Sequence, residues 1–234
     1  MSTINDIIVP RRDAPSALPP NHHAGAGPSS GVLGYLSGLT MLVGRQRDAQ
    51  LVCHLAEVGR NHHVVDIGCG PGTAARAAAR AGARVTGVDP STPMLRLARA
   101  FSWRRRACGE MRWRRAAAED LPLPVESSTV CWSLASVHHW RDLDAAIAEV
   151  LRVLQPGGRF VALEHRVREG AAGHASHGWT PTQAERFAAL LADAGFLHVE
   201  VRDHDLGRRG VVSVIGTKPE VQTTSSCADH STSR

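Results

Sequence analysis

The sequence predicts an α/β fold in which a seven-stranded, mostly parallel sheet carries helices on both faces and ends in an antiparallel hairpin. Two observations lead to this prediction. Between residues 63 and 164, short runs rich in β-branched residues alternate with amphipathic stretches, which is typical of βαβ units with a parallel sheet. After residue 180, one helical stretch is followed by two apolar runs with only a polar loop between them, which indicates a hairpin.

Each element is expected from its own short segment. The five strands of the alternating part are expected at His63–Ile67, Arg84–Val88, Arg112–Ala116, Val130–Ala135 and Arg159–Leu163. The helices between them are expected at 73–81, 92–102 and 142–154. A last helix begins after Thr180, because a threonine N-cap with Pro181 at the first helical position and Gln183 three residues after the cap is a helix-start signature. Gly195 ends that helix, and the hairpin strands follow at Leu197–Val201 and Val211–Ile215.

The two ends of the chain differ in composition from its centre. Residues 1–30 are rich in proline and lack a hydrophobic period, so we expect a disordered arm. One domain is expected over 31–219, in which residues 31–60 form a helical lid and residues 61–219 form the core, because apolar side chains recur at helical spacing before the first strand. The Ser- and Thr-rich residues 220–234 are expected to be a disordered tail.

Composition excludes several classes of protein. The 234 residues contain no apolar run of the roughly 20 residues that cross a bilayer, and no secretory signal is recognisable, so we expect no membrane span and a cytoplasmic location. The five cysteines are scattered without the spacing of a zinc site, and no metal is expected. The net charge of +5 includes an arginine-rich stretch at 96–115, which is either a solvated helix end and loop or a surface for an anionic partner.

The clearest functional signal is a glycine-rich turn after the first strand. Asp66 lies in that strand, and Gly68, Gly70 and Gly72 follow at two-residue intervals. Glycine permits backbone torsions and close approaches that a Cβ would block, so a ligand can lie against the main chain. The second strand ends at Asp89, about 20 residues after the turn, which is the spacing at which a carboxylate meets the ribose hydroxyls of a nucleotide.

The Asp-x-Gly-x-Gly-x-Gly arrangement resembles the motif of class I S-adenosylmethionine-dependent methyltransferases, whereas dinucleotide enzymes use G-x-G-x-x-G. Three further segments fall in the family's order: Ala118–Leu123, Val137–Trp140 and Leu151–Phe160. The resemblance covers roughly residues 60–165 and is closest to the small-molecule branch that includes the ubiquinone/menaquinone-biosynthesis and type 11 methyltransferases. It implies a Rossmann-like fold.

The resemblance also implies S-adenosylmethionine as the cofactor and S-adenosylhomocysteine as its product. The positions that match the family's cofactor-binding motifs are Asp66, Gly68, Cys69, Gly70, Gly72, Asp89, Pro90, Ala118 and Glu119. By that resemblance Asp66 fixes the turn and the amino group of the methionine moiety, Asp89 binds the ribose, and Ala118 with Glu119 faces adenine. Many relatives have an aspartate where this chain has Ala117, so Glu119 or Asp120 replaces it or adenine is held by packing and backbone.

Transfer of a methyl group requires an aligned acceptor and, for a hydroxyl or a carbon acid, removal of a proton. His138 and His139 are the candidate bases, because the loop after the fourth strand opens at the carboxyl edge of the sheet. The alternative is that the pair only orders this loop. Tyr35 and Leu39 are candidates for a substrate lid, although packing of a helix on the core explains them equally well.

The predicted function is methyl transfer to a small molecule, with two alternatives. A nucleic-acid methyltransferase would use the arginine-rich stretch 96–115, but the loop that would hold a target base reads Ala135-Ser136-Val137-His138 and lacks the Asn/Asp-Pro-Pro-aromatic motif, so nucleic acid is not the expected partner. A cofactor-binding protein without transferase activity would keep the same motif. Nothing in the sequence points to a particular acceptor or oligomeric state.

Overall fold

The computed structural model describes residues 45–103, 109–170, 177–206 and 210–220. Its strands are β1 (His63–Ile67), β2 (Arg84–Val88), β3 (Met111–Arg114), β4 (Ser128–Leu134), β5 (Leu154–His165), β6 (Leu197–Asp205) and β7 (Gly210–Thr217). Its helices are α1 (Gln46–Leu55), α2 (Thr73–Arg80), α3 (Thr92–Trp103), α4 (Leu143–Val153) and α5 (Pro181–Asp193), and a 3-10 turn lies at Val137–His139.

The described strands form one sheet in the order β3-β2-β1-β4-β5-β7-β6. Neighbours from β1 to β5 pair in parallel, whereas β7 runs antiparallel between β5 and β6. The predicted fold, a seven-stranded and mostly parallel Rossmann-like sheet with a C-terminal antiparallel hairpin, is therefore confirmed. The chain moves outward from β1 to β3 and then returns to place β4 on the other side of β1, and ligands bind at the carboxyl ends of strands at such a switch point.

Helices cover both faces of this sheet. On one face α1 and α2 bury Val52, Ala75 and Ala78, and on the other face α4 and α5 bury Ile147 and Phe187. α2 has the sequence TAARAAAR, and its small buried side chains allow the helix backbone to lie close to the sheet. This close packing brings the start of α2, and the turn that precedes it, to the edge where β1 ends.

The predicted elements agree with the structure where the local signals are strong. β1 and β2 have the expected bounds, and α5 begins with a capping box in which Thr180 Oγ1 accepts the Gln183 N–H and Gln183 Oε1 accepts the Thr180 N–H. β5 is longer than expected, because it begins at Leu154 and not at Arg159, and its pairing with β4 shifts along the Pro-Gly-Gly segment. Gly157 has a φ of 73°, so it accommodates an irregularity within the strand rather than a turn before it.

Some expectations concern residues outside the described ranges. These are the arm at 1–30, residues 31–44 of the lid with Tyr35 and Leu39, and the tail after Glu220. The later part of the predicted lid segment is described, and there α1 packs against α2. None of the described helices is long and apolar enough to cross a membrane.

Candidate active site

A cleft with a volume of about 850 Å³ opens at the carboxyl ends of β1, β2 and β4. Most positions that the sequence assigns to a cofactor lie in its wall: Asp66, Gly68, Cys69, Gly70, Asp89, Pro90, Ala118 and Glu119. Gly72 lies farther along, as the N-cap of α2. Of the two candidate bases, His139 lies in the wall and His138 does not. Folding therefore brings most of the predicted residues to one cleft, but of the histidine pair it places only His139 in the cleft wall.

The glycine-rich turn lies along one side of this cleft. Gly68, Gly70 and Gly72 have φ values of 70°, 51° and 78°, in the left-handed region that favours glycine. A Cβ at Gly68 would lie 2.2 Å from Ser136 Oγ, so the glycine lets the loop after β4 approach the loop after β1. A Cβ at Gly70 would meet no atom within 4 Å. The turn thus exposes bare main chain to the cleft at Gly70, which fits a ligand that lies against the backbone.

Asp89 holds the turn from the neighbouring strand. Its Oδ2 accepts the Gly70 N–H at 2.8 Å, and its Oδ1 accepts the Ser91 N–H at 2.8 Å. Burial raises the pKa of Asp89, and the two N–H donors offset only part of this effect. A carboxylate oxygen has two lone pairs, so each oxygen of Asp89 can accept a second hydrogen bond, from a hydroxyl group of a ligand in the cleft. This geometry suits the hydroxyl pair of a ribose.

Asp66 links β1 to α2 beneath the turn. Its Oδ2 accepts the Ala75 N–H at 3.0 Å, in the first turn of the helix. Burial raises the pKa of Asp66 to about 7, and the nearby charge of Asp89 adds to the rise. A cation that binds beside Asp66 would favour its ionised form, so the site suits a ligand with a positively charged group.

Two buried contacts of the turn were not anticipated from the sequence. Arg76 lies in the buried part of α2 and donates from Nη1 to the Pro71 carbonyl at 2.5 Å. The Trp113 ring lies so close to Gly72 and Gly87 that a Cβ at either glycine would be 2.5 Å or less from the indole. The available signals in the sequence were an arginine in an otherwise alanine-rich helix and a glycine inside β2. In the structure Arg76 and Trp113 pack against the turn on the side away from the cleft.

Cys69 lies within the turn, and its environment is that of a packing residue. Burial raises the pKa of the Cys69 thiol well above its ordinary value, and the thiol donates weakly to the Gly70 carbonyl at 3.7 Å. A nucleophilic cysteine requires the thiolate, which this site disfavours. Among the described residues, no group of His, Cys, Asp and Glu side chains is arranged to hold a metal ion.

Glu119 lies farther along the wall, after β3. Its Oε1 accepts the Arg141 N–H at 2.6 Å and the Asp142 N–H at 3.3 Å, and so joins the segment after β3 to the start of α4. Ala118 beside it is buried. Because this oxygen of Glu119 accepts two backbone N–H groups, the apolar group that this part of the wall presents to the cleft is the methyl group of Ala118.

Glu164 and His138 form a buried pair behind the opposite end of the cleft. Glu164 Oε1 accepts the Val137 N–H at 2.9 Å, and Glu164 Oε2 lies 2.9 Å from His138 Nδ1. Burial alone would raise the pKa of Glu164, but the His138 ring, the Val137 N–H and the charge of Arg45 outweigh it and hold the pKa below its ordinary value. An ionised Glu164 accepts a hydrogen bond from Nδ1 of His138 when that nitrogen carries a proton.

His138 packs against two further imidazoles. Its ring centroid lies 4.1 Å from that of His139 and 5.8 Å from that of His177, and the His139 and His177 centroids are 6.2 Å apart. His139 and His177 both line the cleft. His177 was not singled out from the sequence, where the only signal was a segment after β5 rich in Gly, Ala and His. The histidine cluster, His138 with His139 and His177, is thus assembled from two separate loops.

Residues 65–162 match the family described as "Methyltransferase domain". The uncharacterized methyltransferase YcgJ of Bacillus subtilis is 33% identical over 122 residues, which are 52% of this chain and 48% of that protein. The ubiquinone/menaquinone biosynthesis C-methyltransferase UbiE of Rubrivivax gelatinosus is 37% identical over 102 residues, which are 44% of this chain and 39% of that protein. The chain therefore spans about half or less of the length of these relatives.

The fold has solved counterparts. The crystal structure of an S-adenosylmethionine-dependent methyltransferase from Aquifex aeolicus superposes with a TM-score of 0.63 at 14% identity, over 78% of this chain and 97% of that one. At this identity the likeness shows the fold alone. Residues 65–162 therefore resemble a methyltransferase domain in sequence, and the described part of the chain has the fold of that solved methyltransferase.

Proposed function

We propose that this protein transfers the methyl group of S-adenosylmethionine to a small organic molecule that binds beside the cofactor in the same cleft. The observation that carries the proposal is that one cleft has two chemically different ends. The cofactor end consists of the glycine-rich turn with Asp66 and Asp89, and the acceptor end is lined by Arg45, Leu134, Ala135, His139 and His177. The volume of about 850 Å³ is near the top of the range for small-molecule sites.

At the cofactor end, the chain's own groups match the parts of the cofactor. Asp89 accepts hydrogen bonds from the ribose hydroxyls, and the exposed main chain at Gly70 lies against the methionine moiety. Asp66 balances the positive charge of that moiety, and Ala118 packs against adenine. When bound, S-adenosylmethionine would supply a methyl group on a sulfonium, which an aligned and deprotonated nucleophile can attack in line.

At the acceptor end, the imidazole of His139 contacts the acceptor, and Glu164 acts through His138 as a positioning residue. Trp140 belongs to the cleft wall and anchors it in the core, because its buried ring packs against Phe160 and Phe187. A rigid wall matters, since methyl transfer is an in-line displacement whose rate depends on alignment.

A small acceptor is favoured over nucleic acid because three of the described arginines of the 96–115 stretch make contacts within the protein. Arg112 pairs with Glu110 at 2.7 Å, Arg99 donates to the Trp113 carbonyl, and Arg115 donates to the Pro90 carbonyl. These contacts support an interpretation as a solvated surface. Weak binding of RNA or DNA that vanishes at moderate salt would agree with it, whereas tight binding in which the salt dependence shows many phosphate contacts would contradict it.

The proposal is tested first by calorimetric titration with S-adenosylmethionine and S-adenosylhomocysteine, with NAD as the control nucleotide. We expect micromolar binding of the first two and no binding of NAD, because the turn exposes main chain to an amino acid moiety and not to a pyrophosphate. Incubation with S-adenosylmethionine and a small-molecule cell extract should then release S-adenosylhomocysteine and a methylated product. Binding without any turnover would leave a cofactor-binding protein and overturn the proposed activity.

A further inference from the structure

We propose that the acceptor is a phenol or an enol and that its oxygen receives the methyl group. This inference rests on the proposed methyl transfer and specifies the substrate class. It depends on three features of the acceptor end: an ionised carboxylate behind the wall, a cluster of imidazoles in and behind the wall, and a guanidinium beside them.

The carboxylate is Glu164. Its Oε1 accepts the Val137 N–H, and the neutral side-chain amide of a glutamine could satisfy that N–H equally well. Burying a full negative charge costs several kcal/mol unless it is paired, so the charge is explained by its second partner, His138. An ionised Glu164, with Oε2 at 2.9 Å from His138 Nδ1, attracts positive charge that develops in the imidazole cluster. The pair therefore equips the cluster to take a proton from the cleft.

The imidazole that meets the acceptor is His139, whose exposed ring lines the cleft and packs at 4.1 Å on His138. His177 lines the cleft from the loop after β5 and completes the cluster. A proton accepted by His139 is thus held within a cluster whose far side carries the Glu164 charge. A group that accepts the proton is needed when a hydroxyl is methylated, since the hydroxyl of a phenol has a pKa near 10 and is protonated at neutral pH. It is less necessary for a thiol, which ionises at about 8.5.

The guanidinium of Arg45 distinguishes oxygen from nitrogen. Arg45 lines the acceptor end, donates from Nη1 to the Leu134 carbonyl at 3.2 Å, and acts electrostatically on Glu164. The carboxylates that line the cleft, Asp66, Asp89 and Glu119, follow or lie in β1, β2 and β3, whereas Arg45 is the charged group among the five residues assigned to the acceptor end. A protonated amine would therefore be repelled by Arg45, whereas an oxyanion that forms near it is stabilised.

The step balances without any further reagent. The hydroxyl proton passes to an imidazole nitrogen of His139, and an oxygen lone pair forms the new bond to the methyl carbon. The bond between that carbon and sulfur breaks, and its electron pair stays on sulfur, which yields S-adenosylhomocysteine. The imidazolium then releases its proton to water. Arg45 and Glu164 change neither charge nor bonding during this step.

The decisive experiment uses S-adenosylmethionine labelled with ¹³C in the methyl group, the full-length protein and the small-molecule fraction of a cell extract. The ¹³C chemical shift of the transferred methyl distinguishes carbon bound to oxygen from carbon bound to nitrogen, sulfur or carbon. We expect a methoxy signal. A signal from an N-, S- or C-methyl group would overturn this inference and leave the proposed function intact. No labelled product at all would overturn both.

Two variants test the role of the cluster once the labelled acceptor has been isolated. Glu164→Gln keeps the shape and the acceptor for the Val137 N–H, and we expect kcat to fall roughly 100-fold, with unchanged affinity for S-adenosylhomocysteine and an acid limb of the pH profile shifted to lower pH. His139→Gln, at an exposed position, should lower kcat similarly. The control is Glu149→Gln, because Glu149 also accepts a backbone N–H, from Leu121, and lies outside the cleft. Wild-type kcat and an unshifted pH profile in both test variants would overturn the inference.

Discussion

Two carboxylates, one at each end of the cleft, are equally buried and yet differ in their preferred charge. Asp66 and Glu164 are both 1% exposed. Asp66 accepts one backbone N–H and lies near a second carboxylate, and its pKa rises to about 7. Glu164 faces an imidazole, a backbone N–H and Arg45, and its pKa is held below its ordinary value. Burial alone thus does not set the charge: at the proposed cofactor end Asp66 lacks enough counter-charge from the protein to offset its burial, whereas Glu164, behind the proposed acceptor end, has it.

The two ends meet where Gly68 contacts Ser136, and the largest effect is expected from breaking that contact. Gly68→Ala adds a Cβ at 2.2 Å from Ser136 Oγ at a φ of 70°. The left-handed backbone costs about 1–2 kcal/mol and overpacking costs about 1–3 kcal/mol. We expect the free energy of unfolding, measured by urea denaturation, to fall by roughly 2–4 kcal/mol, with loss of S-adenosylhomocysteine binding.

Gly70→Ala is the matched control for this substitution. Its φ is also positive, at 51°, but its new Cβ would meet no protein atom within 4 Å. Only the backbone cost of about 1–2 kcal/mol remains, while the methyl group intrudes on the space proposed for the cofactor. Equal losses of stability in the two variants would show that the Gly68–Ser136 contact does not couple the ends.

The sequence predicts the geometry of the glycine-rich turn better than that of the histidine cluster, and the reason is physical. A strand, a turn and a helix form one local unit, so the spacing from Asp66 to Gly72 already implies positive φ values and a ligand against the main chain. The same locality explains why β1, β2 and the capping box of α5 appear where they were expected. The start of β5 was missed, because only pairing with β4 extends the strand across its Pro-Gly-Gly segment.

A second prediction concerns the bridge that Asp89 makes between β2 and the turn. Asp89→Ala removes the acceptor for the Gly70 and Ser91 N–H groups and for the proposed ribose hydroxyls. We expect affinity for S-adenosylhomocysteine to fall by roughly 1.5–3 kcal/mol, the range for charge-assisted hydrogen bonds. Asp89→Asn, which keeps one acceptor oxygen, should lose less. Calorimetry measures both, and unchanged affinity in the alanine variant would refute the ribose assignment.

The acceptor end depends on contacts that no local pattern encodes. His138 meets Glu164 from 26 positions away, and His177 joins them from the loop after β5. The sequence predicted a histidine pair at the cleft; the two rings do pack together, but only His139 lines the cleft, whereas His138 lies behind it and contacts Glu164. Side-chain direction in an irregular loop is decided by its tertiary partners, which the motif did not include.

The third prediction uses pH to separate the two buried carboxylates. The pKa of Asp66 is higher in the folded state than in the unfolded state. The contribution of Asp66 to stability is therefore fully present at pH values below its unfolded-state pKa, and it is lost as the pH rises through about 7. Asp66→Asn cannot ionise, so we expect its free energy of unfolding relative to wild type to increase by roughly 2–3 kcal/mol between about pH 5 and about pH 8.

For Glu164, stability is expected to change with pH in the opposite direction. Because folding lowers the pKa of Glu164, the contribution of Glu164 to stability is fully present at pH values above its unfolded-state pKa. That contribution is lost as the pH falls through the pKa of the folded state. Glu164→Gln should therefore lose stability relative to wild type at neutral pH and approach it in acid. Denaturation curves of the two variants across this pH range provide the measurement, and parallel pH dependence would contradict the contrast between the two ends.

The smallest effect is expected at Glu119, where the sequence and the structure suggest different partners. By resemblance the carboxylate faces adenine, but its Oε1 accepts the Arg141 and Asp142 N–H groups. Glu119→Gln keeps an acceptor oxygen for those donors, so affinity for S-adenosylhomocysteine should change by less than about 0.5 kcal/mol, near the net value of one neutral hydrogen bond. A tenfold loss in calorimetry would show that the charge of Glu119 reaches the cofactor, and the cofactor end would then depend on three carboxylates rather than on Asp66 and Asp89.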